Sequence, residues 1–207
     1  MLHGLYILTS SQTHSHQYWP EFVEQSILGG ASVIQLREKK LSDEDLLPYA
    51  LSIQDICKTY NIPFIVNDRI TLARQIKADG VHIGMYDNPL RRTREYLGNR
   101  YLIGVSCYKN LHSAILAQKM GADYVAFGSV FPSSTKKFAP RCPLSVIRKA
   151  KNILDIPICA IGGINLQNIH HIITARANLM ATTHSVFDAR DPKTAANKLY
   201  QQVIMHR

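Results

Sequence analysis

Polar and apolar side chains alternate at the end of the segment VIQLREKK, residues 33–40. Because strand side chains alternate between two faces, Gln35, Arg37 and Lys39 should project on one face and the intervening isoleucine and leucine on the other. Arginine presents a planar fork to phosphate oxygens, and lysine presents a point charge. An amide, a guanidinium and an ammonium group on one face are therefore typical of a site for a phosphorylated anion.

Two carboxylates follow later apolar runs. Asp68 follows Asn67 at the end of FIVND, and Asp87 lies in the loop after GVHIG. Mg²⁺ is often held by one or two carboxylates together with phosphate oxygens of the substrate, so this pair is suited to share such an ion above a polyphosphate. The same residues also suit an ion-pair network without a ligand, in which Asp68 pairs with Arg37 or Arg69. Spacing alone leaves both interpretations open.

Further polar residues and glycines follow the later apolar runs. They are Ser106, Ser133, Thr135, Lys136, Gly163, Thr183 and His184. The hydroxyls and cations of FPSSTKK suit an anion-binding loop, although a solvated basic loop has the same composition. The two glycines of IGGI would let backbone N–H groups approach an anion closely, although a tight turn also needs them. His82, within GVHIG, is interpreted as a structural histidine.

These residues are placed by a repeated alternation of short apolar runs and amphipathic stretches. The apolar runs are GLYILT, ASVIQLRE, PFIVND, GVHIG, YLIGVS, DYVAFGSV, PICAIGGI and NLMATTHSVF. The stretches between them have helical patterns, for example Trp19–Leu28, Asp43–Tyr60 and Leu166–Ala175. Such alternation predicts parallel strands in an α/β fold, here a single-domain (β/α)8 TIM barrel over residues 1–207, with an open doubly wound sheet as the competitor. In these barrels the active site lies at the C-terminal ends of the strands.

Composition restricts the classes of function. The 207 residues are 46% hydrophobic and 19% charged, as in a globular domain, and their formal net charge of +9 favours anionic partners. No dense basic tract or nucleic-acid motif accompanies that charge, so phosphorylated small molecules are expected rather than nucleic acid. No run suits a bilayer span or a signal peptide, which predicts a cytoplasmic protein without a membrane partner. The four scattered cysteines argue against zinc or a disulfide framework.

Taken in order, the segments resemble the thiamine phosphate synthase family, within the superfamily that also holds thiazole tautomerases. The matching segments are LYILTS, GGASVIQLREK, FIVNDRITLA, ADGVHIGMYD, IGVSC, GADYVAFGSVFPSSTKK, IPICAIGGIN and SVFDARDP. The resemblance covers nearly the whole chain. It implies a barrel transferase that joins a hydroxymethylpyrimidine diphosphate to a thiazole phosphate, or its carboxylated form, with Mg²⁺ as cofactor. The implied mechanism is dissociative: pyrophosphate leaves first, and the thiazole nitrogen attacks the resulting pyrimidine cation to give thiamine phosphate.

The resemblance also assigns residues, in groups that share a ligand. The residues matched to the diphosphate and pyrimidine are Gln35, Arg37, Lys39, Asn67 and Ser106. The residues matched to the metal are Asp68 and Asp87. The residues matched to the thiazole phosphate and its covering loop are Ser133, Thr135, Lys136, Gly163, Thr183 and His184. Within these groups, the cations expected to be catalytic are Arg37, Lys39 and Lys136, because they would stabilise the departing diphosphate.

Strand eight departs from the family pattern. ARANLMATTHSVF stands where the family resembles GADGVAVVSAIF, so that Arg176, Leu179 and His184 replace glycine, glycine and serine. His184 either adds a cation to the phosphate site or crowds it. The alternatives are therefore a thiazole tautomerase-like protein or a catalytically inactive, ligand-binding paralogue. The family often forms dimers, so a homodimer is an expectation for which the sequence itself carries no interface signal.

Overall fold

The computed structural model describes residues 2–12, 14–84, 89–132 and 140–205, and within these ranges parallel strands form a closed barrel surrounded by helices. The strands are β1 (Gly4–Leu8), β2 (Ala31–Leu36), β3 (Phe64–Asn67), β4 (Gly80–Gly84), β5 (Leu102–Tyr108), β6 (Tyr124–Phe127), β7 (Ile158–Ile161) and β8 (Leu179–Thr182). The helices are α1 (Trp19–Leu28), α2 (Asp43–Thr59), α3 (Ile70–Ile76), α4 (Leu90–Leu97), α5 (Leu111–Lys119), α6 (Leu144–Lys151), α7 (Ile169–Thr174) and α8 (Pro192–Met205). Because β8 pairs with β1, the predicted (β/α)8 barrel is confirmed over the open sheet.

Two apolar layers follow from the alternation of side chains along the strands. The inner layer fills the barrel and consists of Tyr6, Leu8, Val33, Ile65, Tyr124, Ala126, Cys159, Leu179 and Ala181. The outer layer lies between the sheet and the helices and includes Ile34 and Leu36. The opposite faces predicted for β2 are therefore confirmed. Each large apolar side chain buried in this way contributes about 1.5–3 kcal/mol relative to exposure.

Helix boundaries follow local capping. Ser42 caps α2, because its Oγ accepts a hydrogen bond of 3.1 Å from the Asp45 N–H. Helix α7 begins three residues after the predicted Leu166. There, side-chain oxygens of Asn165 and Asn168 accept hydrogen bonds from nearby backbone N–H groups and hold the chain in a turn.

The strands β6 and β8 are shorter than the apolar runs that predict them. They end at Phe127 and Thr182, and the residues that follow leave the sheet. The segments after these strands therefore begin earlier than expected, and Gly128, Ser129, Thr183 and His184 within them line a cavity. No helix in the described part of the chain has the length and apolar character needed to cross a membrane.

Candidate active site

A cavity of about 450 Å³ opens at the C-terminal ends of the strands. The predicted site residues that line it are Gln35, Arg37, Lys39, Asn67, Ser106, Thr183 and His184. These residues come from β2, β3, β5 and the segment after β8, so closure of the barrel brings them to one mouth. Of the other predicted residues, Asp68 follows Asn67 directly, and Asp87, Ser133, Thr135 and Lys136 lie outside the described residues.

The backbone after β2 is clamped to the end of β1. Arg37 N–H donates to Thr9 Oγ1 at 2.8 Å, and Thr9 N–H donates to the Gln35 carbonyl oxygen at 3.0 Å. Thr9 Oγ1 in turn donates to the Arg37 carbonyl oxygen at 3.3 Å. Arg37 and Lys39 thus extend beyond the strand from a fixed backbone. The role of Thr9 was not predicted from the sequence.

Glu38 anchors the same segment from below. Its side chain is fully buried, with Oε2 2.7 Å from His16 Nε2 and Oε1 accepting a 2.5 Å hydrogen bond from the Lys40 N–H. Burial alone would raise the pKa of Glu38, but hydrogen bonds from His16, Lys40 and Ser11 outweigh it and lower the pKa to about 2. Glu38 is therefore a buried anion that fixes the backbone from which Arg37 and Lys39 extend.

Arg69 holds this loop from the other side. Its guanidinium donates to the Glu38 carbonyl oxygen at 2.9 Å and to the Leu41 carbonyl oxygen at 2.6 Å. It also pairs with the carboxylate of Asp43, at the first turn of α2. One fork-shaped cation therefore ties β3 to the loop after β2.

The carboxylate of Asp68 lies beside two residues that line the cavity, Asn67 and Lys39. Its backbone is left-handed, with φ +61°, and its N–H donates to the His82 carbonyl oxygen at 2.9 Å. Its Oδ2 accepts a hydrogen bond of 2.7 Å from Asn67 Nδ2 and lies 3.6 Å from Lys39 Nζ. An ion pair of Asp68 does form, and among the described residues it is with Lys39 rather than with either arginine weighed from the sequence. Since the Lys39 side chain is 60% exposed, this pair contributes at most about 1 kcal/mol, and a ligand can replace it.

A chain of hydrogen bonds crosses the barrel beneath the cavity. Gln35 Nε2 donates to Tyr6 Oη at 2.6 Å, and Tyr6 Oη lies 2.8 Å from Tyr124 Oη. Tyr124 Oη lies 3.0 Å from His82 Nδ1, and His82 Nε2 lies 2.9 Å from Ser106 Oγ. His82 is thus a bonded interior histidine, as interpreted, but one that reaches a predicted site residue. For the other members of this hydrogen-bond chain, the signal available in the sequence was the inward position of the tyrosines in GLYIL and YVAF.

The glycine pair after β7 forms a tight turn. Gly162 and Gly163 have φ of +108° and +65°, and a Cβ at Gly163 would lie 2.1 Å from the Pro132 carbonyl oxygen. Phe131 N–H donates to the Gly162 carbonyl oxygen at 3.0 Å. The turn therefore packs against the beginning of the FPSSTKK segment. Gly163 is not among the described residues that line the cavity, so its predicted part in a phosphate cradle is still a prediction.

His184 follows β8 at the cavity edge. Its Nδ1 lies 2.8 Å from Asp188 Oδ2, in the geometry of a close ion pair rather than of an aligned hydrogen bond. The Asp188 side chain is only 7% exposed, so its contact with His184 is largely shielded from water. Asp188 therefore helps to orient the His184 ring, which lines the cavity.

Comparisons with known proteins agree with this geometry. The family model described as thiamine monophosphate synthase matches residues 5–186. The chain belongs to this family. A thiamine-phosphate synthase of Methylococcus capsulatus is 43% identical over 196 residues, which cover 95% of this chain and 87% of that relative. One of Nitrosomonas eutropha is 41% identical, with 93% of this chain and 91% of the relative covered.

A solved structure of the thiamine monophosphate synthase family has the same fold. The thiamine phosphate pyrophosphorylase of Pyrococcus furiosus superposes with a TM-score of 0.90 at 31% identity, over 98% of this chain and 96% of the other. (S)-3-O-geranylgeranylglyceryl phosphate synthase of Thermoplasma acidophilum reaches a TM-score of 0.72 at 14% identity, which shows a shared fold alone. The resemblance seen in the sequence is therefore confirmed.

The donor set at Asp68 fits a metal that the substrate helps to hold. Among the described residues, no group of three or more histidine, cysteine, aspartate or glutamate side chains is arranged to hold an ion. Mg²⁺ does not require such a cage, because one or two carboxylates and phosphate oxygens commonly suffice. Asp68 supplies one carboxylate at the rim, beside the cations that would meet the same phosphates. The second predicted ligand, Asp87, lies outside the described residues.

Proposed function

We propose that this chain joins a hydroxymethylpyrimidine diphosphate to a thiazole phosphate, or its carboxylated form, and releases thiamine phosphate and pyrophosphate. One observation carries the proposal: Arg37, Lys39 and Asn67 line the same 450 Å³ cavity, and the Asp68 carboxylate contacts both Asn67 and Lys39. Together they combine an anion site with a carboxylate suited to a divalent cation. Such a pairing suits a diphosphate more than an uncharged substrate.

The chemistry is a group transfer in which the carbon–oxygen bond to the diphosphate breaks and a carbon–nitrogen bond to the thiazole forms. Negative charge accumulates on the departing diphosphate, so cations held in place beforehand stabilise the transition state most. Arg37 and Lys39 are held in this way, because Thr9 and Glu38 fix the backbone between them. Bound Mg²⁺, with Asp68 and Asp87 as ligands, would neutralise part of the same charge.

Another part of the cavity wall suits an aromatic ring. Its walls include the apolar Leu8, Ala126, Ile161 and Ala181. Apolar walls exclude water, which would otherwise compete with the thiazole nitrogen for a pyrimidine cation. No nucleophilic side chain is required, because the second substrate is the nucleophile.

A catalytically inactive, ligand-binding paralogue is the second candidate, and His184 is the observation that favours it. If the imidazole fills the thiazole phosphate site, the chain would bind the diphosphate without turnover. The presence of Arg37, Lys39 and Asp68 at the proposed diphosphate site argues against a thiazole tautomerase-like activity, because that reaction has no diphosphate leaving group. The position of His184 beside Thr183 in the cavity lining favours the synthase, because an imidazole N–H can donate a hydrogen bond to a phosphate oxygen.

The decisive assay is incubation of the purified protein with both substrates, with and without Mg²⁺, followed by measurement of thiamine phosphate and pyrophosphate. We expect both products in equal amounts and only with Mg²⁺. Arg37→Gln should lower kcat by about 100-fold or more, since it removes a charge that stabilises the leaving group. Arg92→Gln, at an exposed position of α4 that does not line the cavity, removes the same charge and should change little. No product from the wild-type chain, with diphosphate still bound, would support the inactive paralogue.

A further inference from the structure

Tyr108, the last residue of β5, is an exposed aromatic residue within the cavity lining. It is 43% exposed. Exposed apolar side chains also occur elsewhere on the surface, so exposure alone carries no function. Of the large apolar side chains that are exposed in the described part of the chain, however, Tyr108 is the one that lines the cavity. The proposed function has so far given it no role.

The Tyr108 ring is not committed to other parts of the fold. Tyr6, which also lines the cavity, lies edge-on to the Tyr124 ring and accepts a hydrogen bond from Gln35. Within residues 2–12, 14–84, 89–132 and 140–205, the Tyr108 side chain has neither a hydrogen bond nor an aromatic contact of this kind. A planar ligand can therefore cover the Tyr108 ring without breaking an existing interaction.

The backbone at Tyr108 is strained. Its φ is +53°, a left-handed conformation that is rare for bulky residues. Strand β5 has an extra residue at this point, because Ser106 pairs with Ala126 whereas Tyr108 pairs with the next residue of β6, Phe127. Bulges of this kind are frequent at barrel rims and beside active sites, where they redirect a side chain. Here Tyr108 lines the cavity although its strand partner Phe127 belongs to the outer layer.

Neighbouring hydrogen bonds hold the strained segment in place. Gly128 N–H donates to the Tyr108 carbonyl oxygen at 2.9 Å, and Asn110 N–H donates to the Cys107 carbonyl oxygen at 2.8 Å. Asn110 also caps α5, because its Oδ1 accepts a hydrogen bond of 3.0 Å from the Ser113 N–H. Strain of this kind persists only where the surrounding structure imposes it, and it is concentrated at ligand sites. The Tyr108 ring is thus an open aromatic surface on a fixed backbone.

The position of Tyr108 along β5 indicates which substrate ring it would meet. Ser106, which the family resemblance matches to the pyrimidine and diphosphate, lies two residues earlier on the same strand. At the rise of a strand, Tyr108 is about 7 Å farther out toward the mouth. A pyrimidine at the level of Ser106 leaves the level of Tyr108 to the second substrate. That substrate contributes the thiazole ring.

The thiazole ring changes its charge during the reaction. The carbon–oxygen bond of the pyrimidine substrate breaks with its electron pair leaving on the diphosphate, and the lone pair of the thiazole nitrogen forms the new carbon–nitrogen bond. The thiazole thereby becomes a thiazolium cation. The face of a tyrosine ring attracts a cation, whereas an aliphatic side chain does not. An aromatic residue at this level therefore favours the product ring more than the substrate ring.

We propose that Tyr108 is a substrate-binding residue whose ring stacks on the thiazole and stabilises the thiazolium cation as it forms. The inference rests on the proposed function, because it takes thiazole phosphate as the second substrate. It adds to the anion site a residue that recognises the ring of that substrate rather than its phosphate.

Steady-state kinetics of substitutions at this position test the proposal. Tyr108→Leu should raise the KM for thiazole phosphate about 10-fold, because it removes the stacked aromatic face, and should leave the KM for the pyrimidine diphosphate within about 2-fold of the wild type. Tyr108→Phe keeps the ring and should restore the KM for thiazole phosphate. Tyr96→Leu is the matched control, because Tyr96 is 44% exposed on α4 and does not line the cavity.

A purely structural role for Tyr108 would give a different result. Glycine adopts positive φ without strain, so Tyr108→Gly should keep the melting temperature of the wild type and still raise the KM for thiazole phosphate. Wild-type kinetics in Tyr108→Leu and Tyr108→Gly would overturn the proposal. An equal loss in Tyr108→Phe would assign the effect to the hydroxyl, and a raised KM for the pyrimidine diphosphate alone would assign it to the other ring. Either outcome would also overturn it.

Binding measurements separate failure of this inference from failure of the proposed function. If the wild type forms no thiamine phosphate, the proposed function is wrong, and calorimetry with thiazole phosphate and thiamine phosphate as probes still measures the effect of Tyr108. In Tyr108→Leu, the dissociation constant of thiamine phosphate, whose ring is a cation, should rise more than that of thiazole phosphate. Equal changes in the two constants, or no binding of either probe to the wild type, would refute the inference. If the wild type turns over and neither constant responds to Tyr108→Leu, the inference alone is wrong.

Discussion

Replacement of Glu38 by glutamine should destabilise the fold in a pH-dependent way. The pKa of Glu38 falls from an ordinary 4.5 to about 2 because hydrogen bonds from His16, Lys40 and Ser11 favour the carboxylate more than burial disfavours it. Each pKa unit corresponds to about 1.4 kcal/mol, so the ionised carboxylate contributes about 3 kcal/mol at pH 7. Glutamine keeps the shape of the side chain but not the charge.

The sign of the pH dependence follows from the lowered pKa of Glu38. A group with a lowered folded-state pKa stabilises the protein fully above its unfolded-state value, and that stabilisation is lost as the pH falls from 4.5 toward 2. At pH 3 about 1.5 kcal/mol should remain. The difference in unfolding free energy between the wild type and Glu38→Gln should therefore shrink by about 1.5–2 kcal/mol between pH 7 and pH 3.

Urea unfolding at a series of pH values measures this difference. The single tryptophan, Trp19, is fully buried with its ring centroid 4.5 Å from that of His16, so its fluorescence reports on this part of the fold. Glu44→Gln, at an exposed position of α2, makes the same change in net charge and should show a small difference at every pH. A difference in unfolding free energy between the wild type and Glu38→Gln that stays constant from pH 7 to pH 3 would refute the assignment of the stabilisation to the buried charge.

Three further substitutions test the predicted metal ligand Asp68 and the predicted thiazole phosphate residues His184 and Gly163. Asp68→Asn, which tolerates the left-handed backbone better than alanine would, should abolish Mg²⁺-dependent turnover without lowering the melting temperature; activity close to wild type would refute the metal assignment. His184→Ser should raise the KM for thiazole phosphate about 10-fold, since it removes an imidazole that is oriented by Asp188 and can donate to phosphate, whereas a lowered KM would show that the histidine crowds the site. Gly163→Ala should destabilise the protein by more than Gly98→Ala in thermal melts, because both have positive φ but only the first would place a Cβ 2.1 Å from a carbonyl oxygen; equal losses would refute that contact.

Local pattern was enough to predict the barrel and part of its site. Alternation along β2 correctly separated Gln35 from Ile34 and Leu36, because the two faces of a strand differ in what they contact. Repetition of strand and helix predicted parallel strands, and the position of polar residues at strand ends predicted the mouth of the cavity. The ion pair of Asp68 with Lys39 could not be predicted from the sequence. Lys39, Arg37 and Arg69 all follow β2 or β3, so each was a possible partner.

By itself, then, the sequence determined which residues of β2 face inward, the order of strands and helices, and which family the chain resembles. These properties depend on neighbours along the chain, so periodicity and motifs carry them. Only the tertiary structure decided that Tyr6 meets Tyr124, 118 positions away, and that Glu38 is buried against His16. Buried polar groups must find partners, but closure of the barrel chooses which groups come within hydrogen-bond distance.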